Sequence, residues 1–134
     1  MRYQRAESPA LLNGHEAARR FFASCFVGAD HSRERLWVAH VDEGARCIHV
    51  EHYEGDPSSV GVPVRDIVAD AARLGSAGLV LAHNHPGGDS TPSNADCRAT
   101  RRLAVAGESL DVALLDHLIF AGDDCTSMRR LGLL

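Results

Sequence analysis

Two imidazoles and a carboxylate fall within one short stretch of the chain: His83-Asn84-His85-Pro86, then Ser93, then Asp96. In an extended strand residues i and i+2 point to the same side, so His83 and His85 can aim at one point while Asn84 turns away. The loop that follows holds Pro86, Gly87, Gly88 and Pro92, residue types that let a chain fold back sharply. Asp96 then lies in the first turn of a helix, where its carboxylate completes a set of three donors. Imidazole nitrogens with a carboxylate oxygen suit Zn2+, and three protein ligands leave the fourth tetrahedral position open, as in catalytic rather than structural zinc sites. Water in that position has a pKa of about 7 and becomes an available nucleophile. Each part alone has a plainer reading. Ser93-x-x-Asp96 is also a helix-capping arrangement, and an isolated H-x-H pair is often only the polar end of a strand. Their combination across one Gly/Pro loop is what points to a metal.

Such donors need a frame. Ala17, Ala18, Phe21, Phe22 and Phe26 recur near a 3.6-residue period, which predicts a helix over 15–26 that packs one face on the rest. After a break at Gly28-Ala29-Asp30, the β-rich runs 35–42 and 46–53 flank Asp42-Glu43-Gly44 and predict a hairpin that ends at Gly55-Asp56-Pro57. Val64, Ile67, Val68, Ala71 and Leu74 predict a helix that starts at Pro63 and stops at Gly75. The apolar run 78–83 reads as a central strand covered on both faces, which places the histidines at its C-terminal end. A helix over 93–107 capped by Ser93, a strand over 111–120, a turn over 121–124 and a short edge strand over 125–128 complete the reading. Helices alternate with strands, so the fold class is α/β around one sheet. The domain division expected is an N-terminal helical extension over 1–30 and the main domain over 31–134.

Composition narrows the classes. A chain of 134 residues with 45% hydrophobic content fills one core. The net charge of −4 gives no global reason for a polyanionic partner. All 14 basic residues are arginines, which excludes a lysine nucleophile. Cys25, Cys47, Cys97 and Cys125 form no C-x-x-C pair and read as reduced thiols. No apolar run reaches the roughly 20 residues that span a bilayer, and no signal-peptide core follows Met1-Arg2-Tyr3-Gln4-Arg5. A cytoplasmic protein without membrane partners is the expectation; the oligomeric state is not written in the sequence.

The run from His83 to Asp96, H-x-H-P, six residues, then S-x-x-D, resembles the signature of the bacterial RadC family within the JAMM (JAB1/MPN/Mov34) metalloprotease superfamily. The likeness extends to Arg33-Glu34-Arg35-Leu36-Trp37, to Gly55 and Arg65-Asp66-Ile67, to Leu114-Leu115-Asp116-His117-Leu118-Ile119, and to Ser127 and Gly132-Leu133-Leu134. Gly87 stands where the family usually has Ser and Asp66 where it usually has Glu, and Pro63-Val64-Arg65 is one residue longer than the usual spacing. No counterpart of the family's helix-hairpin-helix module is expected here, so DNA contacts of that module do not carry over.

The resemblance implies a JAMM/MPN (cytidine-deaminase-like) fold, a single mixed sheet flanked by helices. It also implies a zinc metallopeptidase that hydrolyses an amide or isopeptide bond in a peptide or protein substrate. His83, His85 and Asp96 would hold Zn2+, Glu34 would act as the base, and Ser93 would donate to the oxyanion; Glu51 on the hairpin's second strand is the other candidate base. Asp116-His117 reads as an outer partner of the metal site or as a buried polar pair. A cytidine deaminase is set aside, because neither H-x-E nor P-C-x-x-C occurs. The family's naming also implies a DNA repair or recombination accessory, with the metal domain as a scaffold. Arg98, Arg101 and Arg102, sharing a helix face, are the local basic patch that could touch nucleic acid.

Overall fold

The computed structural model describes residues 10–28, 31–54 and 61–134. Residues 29–30 of the expected break at 28–30, the hairpin stop at Gly55-Asp56-Pro57 and the N-terminal arginines lie outside them. The elements are α1 (His15–Cys25), β1 (Arg35–Val41), β2 (Cys47–Glu54), α2 (Val64–Leu74), β3 (Gly78–Asn84), α3 (Asn94–Glu108), β4 (Ala113–Ala121) and β5 (Asp124–Ser127). The five strands form one mixed sheet in the order β2-β1-β3-β4-β5. Only β3 and β4 run parallel; the other three pairings are antiparallel. The parallel pair requires a crossover, and α3 supplies it.

Alternation along β1 and β3, with a register irregularity in β4 between Leu114 and Asp116, assigns the two faces. Trp37, Ala39, Val41, Val80, Ala82 and Leu118 point to one side and pack with Ala18, Phe22, Cys25 and Phe26 of and beside α1. Leu36, Val38, Leu79, Leu81 and Leu114 point to the other and pack with Ile67 and Ala71 of α2 and Leu103 of α3. All seven residues of β3 are buried, as a central strand covered on both sides must be. Helix α1 buries Ala18, Phe22 and Cys25 on one stripe. The segment before it is tied to the hairpin turn through Leu12 N–H to Ala45 O and Cys47 N–H to Ala10 O, both 2.8 Å.

The element boundaries follow local chemistry. Helix α2 begins after Pro63 and ends at Gly75, whose φ of 68° is the left-handed cap that glycine adopts without strain. Strand β4 starts two residues later than the alternation suggests. Asp111 takes a positive φ of 56° and Val112 N–H returns to Gly107 O, so both belong to the turn that leaves α3. That return needs Gly107, because a Cβ there would lie 2.6 Å from Val112 O. Strand β5 likewise begins and ends one residue earlier than expected. All four cysteines are free, and burial pushes the thiols of Cys47 and Cys125 up to about 11, which makes them poor nucleophiles.

One buried histidine lies far from the metal motif. His40 on β1 is fully buried, its Nδ1 2.8 Å from Ser76 Oγ. Burial, reinforced by neighbouring His49, lowers its pKa to about 4. In the unfolded chain the same imidazole titrates near 6.5, so between about pH 6.5 and 4 the unfolded state binds more protons. Stability contributed by neutral His40 is therefore complete above pH 6.5 and lost as pH falls toward 4, by roughly 3 kcal/mol at most. Urea unfolding across this range should show that loss, and His40→Asn should flatten it relative to wild type.

Candidate metal centre

The C-terminal end of β3 presents three consecutive side chains in alternating directions. His83 is the last histidine inside the strand, and His85 continues the extended path, its N–H bonded to Phe120 O of β4 at 2.8 Å. The two imidazoles meet edge to face with ring centroids 4.7 Å apart. Asn84, between them, turns toward β1: its Oδ1 accepts Arg35 N–H at 2.7 Å and its Nδ2 donates to Arg33 O at 2.8 Å. Those two bonds bracket Glu34, which precedes β1 and is half-buried. Leu36 is the register partner of His83, so the same antiparallel register carried two residues further sets Glu34 opposite His85.

The loop brings the carboxylate back. Asp89 accepts from Thr91 N–H at 2.9 Å and from the Thr91 hydroxyl at 2.7 Å, a turn that holds its carboxyl below the usual carboxylate range. Ser93 caps α3 in a full capping box: its side chain accepts Asp96 N–H, and Asp96 Oδ2 accepts Ser93 N–H at 2.8 Å. The same carboxylate reaches the histidines, with Oδ2 3.1 Å from His85 Nε2 and Oδ1 3.5 Å from His83 Nε2. The helix cap read from the sequence is present, and it leaves the same carboxylate within reach of both imidazoles. Burial is the largest influence on Asp96 and pushes its carboxyl up. Its polar neighbours, the Ser93 N–H among them, outweigh it and hold the group well below the ordinary value.

Hydrogen-bond bookkeeping shows what the cluster lacks. His85 Nδ1 lies 2.8 Å from Asp89 O, a carbonyl that only accepts, so the proton of a neutral His85 is on Nδ1. Its Nε2 then offers a lone pair to a carboxylate oxygen, an arrangement that needs a proton or a metal ion between them. His83 Nε2 is fully buried without a hydrogen-bond partner. The donors of His83, His85 and Asp96 lie within 4.8 Å of one another and form the one such cluster among the described residues. Metal–ligand bonds of about 2.0–2.1 Å at tetrahedral angles put neighbouring donors about 3.3 Å apart, close to the two spacings found. The residues present fit a metal ion.

These groups border a cleft of about 530 Å³ that Glu34, Val62, His85, Ser93, Asp96 and Ala99 help to line. Glu51 lies elsewhere: it is the register partner of Val38 on β2, and its carboxylate is 3.3 Å from His49 Nε2. A second concavity of about 710 Å³ sits at the opposite end of the sheet, beside Asp42, Gly75 and Asp111. Arg98, Arg101 and Arg102 share a groove with Val64 and Val105 on the outer side of α3.

A model of the RadC-like JAB domain matches residues 12–133. The chain belongs to the RadC family. The match takes in α1 as well as the sheet. A UPF0758 protein of Vibrio cholerae serotype O1 is 37% identical over 132 residues, covering 98% of this chain and 80% of the relative. The UPF0758 protein YfjY of Escherichia coli strain K12 is 34% identical over 129 residues, covering 96% and 79%.

In this RadC-family chain the structure divides the Asp116-His117 pair. Asp116 accepts His117 N–H and Arg129 N–H through Oδ1 and the Ser127 hydroxyl through Oδ2, which ties β4 to the C-terminal turn. His117 points the other way, 2.7 Å from His83 Nδ1, and burial drives its pKa well below the ordinary histidine value. Asn84 and Thr100 escaped the sequence reading. Thr100 stands one helical turn after Asp96, a spacing that puts both on one face.

Asp96→Asn separates ligand from cap, since an amide oxygen still accepts the Ser93 N–H. Thermal unfolding of the metal-free variant should stay within about 1 kcal/mol of wild type. Its divalent-metal affinity, read by calorimetric titration, should fall by more than the roughly 10–100-fold typical of losing an outer hydrogen-bond partner.

Proposed function

We propose that the protein is a zinc-dependent hydrolase of the JAMM type that cleaves an amide or isopeptide bond in a peptide or protein. The observation that carries this reading is the convergence of the His83 and His85 lone pairs on the Asp96 carboxylate, with Glu34 on the same cleft. The donor set is the N/N/O combination that zinc accepts, and three protein donors leave a position for water or substrate. Zinc in such a site supplies Lewis acidity and lowers the pKa of water to about 7.

The chain's own groups do the rest. Glu34 takes a proton from the attacking water and delivers it to the leaving nitrogen. The Asn84 amide holds the backbone on either side of Glu34, so the carboxylate enters the cleft from a fixed point rather than from a free chain end. The Ser93 oxygen already accepts Asp96 N–H at 3.0 Å, which leaves its hydroxyl proton to donate to an oxyanion. Glu51, engaged with His49 on β2 and absent from the cleft lining, is the weaker candidate for the base.

A second reading rests on a different surface. Arg98, Arg101 and Arg102 line one groove on α3, which favours an accessory role in DNA repair or recombination through phosphate contacts.

The two readings separate experimentally. In a zinc-replete peptidase and isopeptidase screen, Glu34→Gln should keep full zinc occupancy and lose about 10²–10⁴-fold in turnover, and undiminished activity would move the base to Glu51. For the second reading, DNA affinity should fall with salt at a slope of about −0.9 per phosphate contacted and vanish in the Arg98/Arg101/Arg102→Ala triple variant. Binding that ignores both salt and the triple substitution removes that reading.

A further inference from the structure

Behind His83 a file of buried polar atoms leads away from the metal cleft. His83 Nδ1 lies 2.7 Å from His117 Nε2 on β4, and His117 Nδ1 lies 2.8 Å from Thr100 Oγ1 on α3. The Thr100 hydroxyl in turn points to Met128 Sδ, 3.8 Å away just past β5. His83 is 2% exposed, and His117, Thr100 and Met128 are 0%. Bulk water does not reach these atoms, so their protons are apportioned among themselves.

One apportionment satisfies both ends. A thioether only accepts, so Thr100 donates its proton to Met128 and receives at its oxygen. His117 therefore donates from Nδ1. A neutral imidazole carries one N–H, which leaves His117 Nε2 as an acceptor and makes His83 Nδ1 the donor to it. His83 Nε2 is then a bare lone pair, and it is the buried atom that has no hydrogen-bond partner and lies 3.5 Å from Asp96 Oδ1. The opposite polarity leaves Met128 Sδ without a donor and puts a proton where a ligand lone pair is required.

We propose that His117 and Thr100 are positioning residues that set the tautomer of His83, holding its proton on Nδ1 so that Nε2 faces the His85 and Asp96 donors before any metal arrives. The inference rests on the reading of that cluster as a metal centre. It also explains why the two halves of Asp116-His117 point apart: Asp116 anchors the C-terminal turn, while His117 orients a ligand. His85 is fixed in the same tautomer by a separate device, the Asp89 carbonyl. Both imidazoles thereby offer the same nitrogen to the metal.

The test has two parts. Long-range 1H–15N imidazole spectra of the metal-free wild-type protein should show the proton on Nδ1 of both His83 and His117. Zinc affinity, measured by competition with a chromogenic chelator, should fall about 10–100-fold in Thr100→Val, which keeps the side-chain shape and deletes the hydroxyl, and return near wild type in Thr100→Ser. A proton on His83 Nε2 in the wild type overturns the proposal, and so does a folded Thr100→Val that binds zinc as tightly as wild type. Should Thr100→Val not fold, the wild-type spectra still decide. A wild type that shows both Nδ1 protons yet binds no zinc upholds the tautomer and sinks the metal reading instead.

Discussion

Strand β3 has to remain extended for one residue beyond its last paired position, and the arrangement of the site depends on that. The pleat sends alternate side chains to opposite sides, so the same extension that aims His83 and His85 together sends Asn84 sideways to the chain entering β1. Parallel pairing to β4 maintains the extension through the bond from His85 N–H to Phe120 O. Had β3 curled into a helical turn at Asn84, the imidazoles would diverge and Glu34 would lose both backbone anchors. The candidate ligands and the candidate base are in this sense products of one backbone conformation.

The carboxylate comes from a different economy of structure. The first turn of a helix has unsatisfied N–H groups and a positive dipole end, and a carboxylate at Asp96 satisfies both demands. Its two oxygens offer more acceptor sites than the cap uses, so the remainder is available to the imidazoles. Ser93 follows the same pattern, accepting in the cap while its proton stays unassigned. A helix start placed against a strand end therefore supplies most of the polar groups here without a buried, unpaired charge. His117 and Thr100 extend the polar network into the core behind His83, where each member meets a partner.

Much of this was legible in the sequence because it is local. The H-x-H pair, the Gly/Pro loop and the S-x-x-D cap depend on neighbours along the chain, as do the Pro63 and Gly75 boundaries of α2 and the alternation that defines β1 and β2. What stayed hidden depends on register. No periodicity states that Leu36 lies beside His83, which is what brings Glu34 rather than Glu51 to the cleft. The contact from Thr100 to His117 joins a helix to a strand across the sheet, and Asn84 reads as a spacer until its two backbone partners are known. The late start of β4 had a local cause, the left-handed Asp111, but that conformation is rare enough outside glycine that sequence pattern gives it little weight.

The three candidate ligands sit within residues 83–96, on a strand, a loop and a helix start that adjoin in sequence. Closing a loop that short carries a small entropic cost, and the cost grows only slowly with length. Glu34 and His117 come from distant segments and reach the site only when β1 and β4 have zipped onto β3. The site is therefore divided by contact range: the three candidate donors adjoin in sequence, whereas the groups behind and beside them arrive through strand pairing. The chain thus separates what one short segment can bring together from what only the completed sheet supplies.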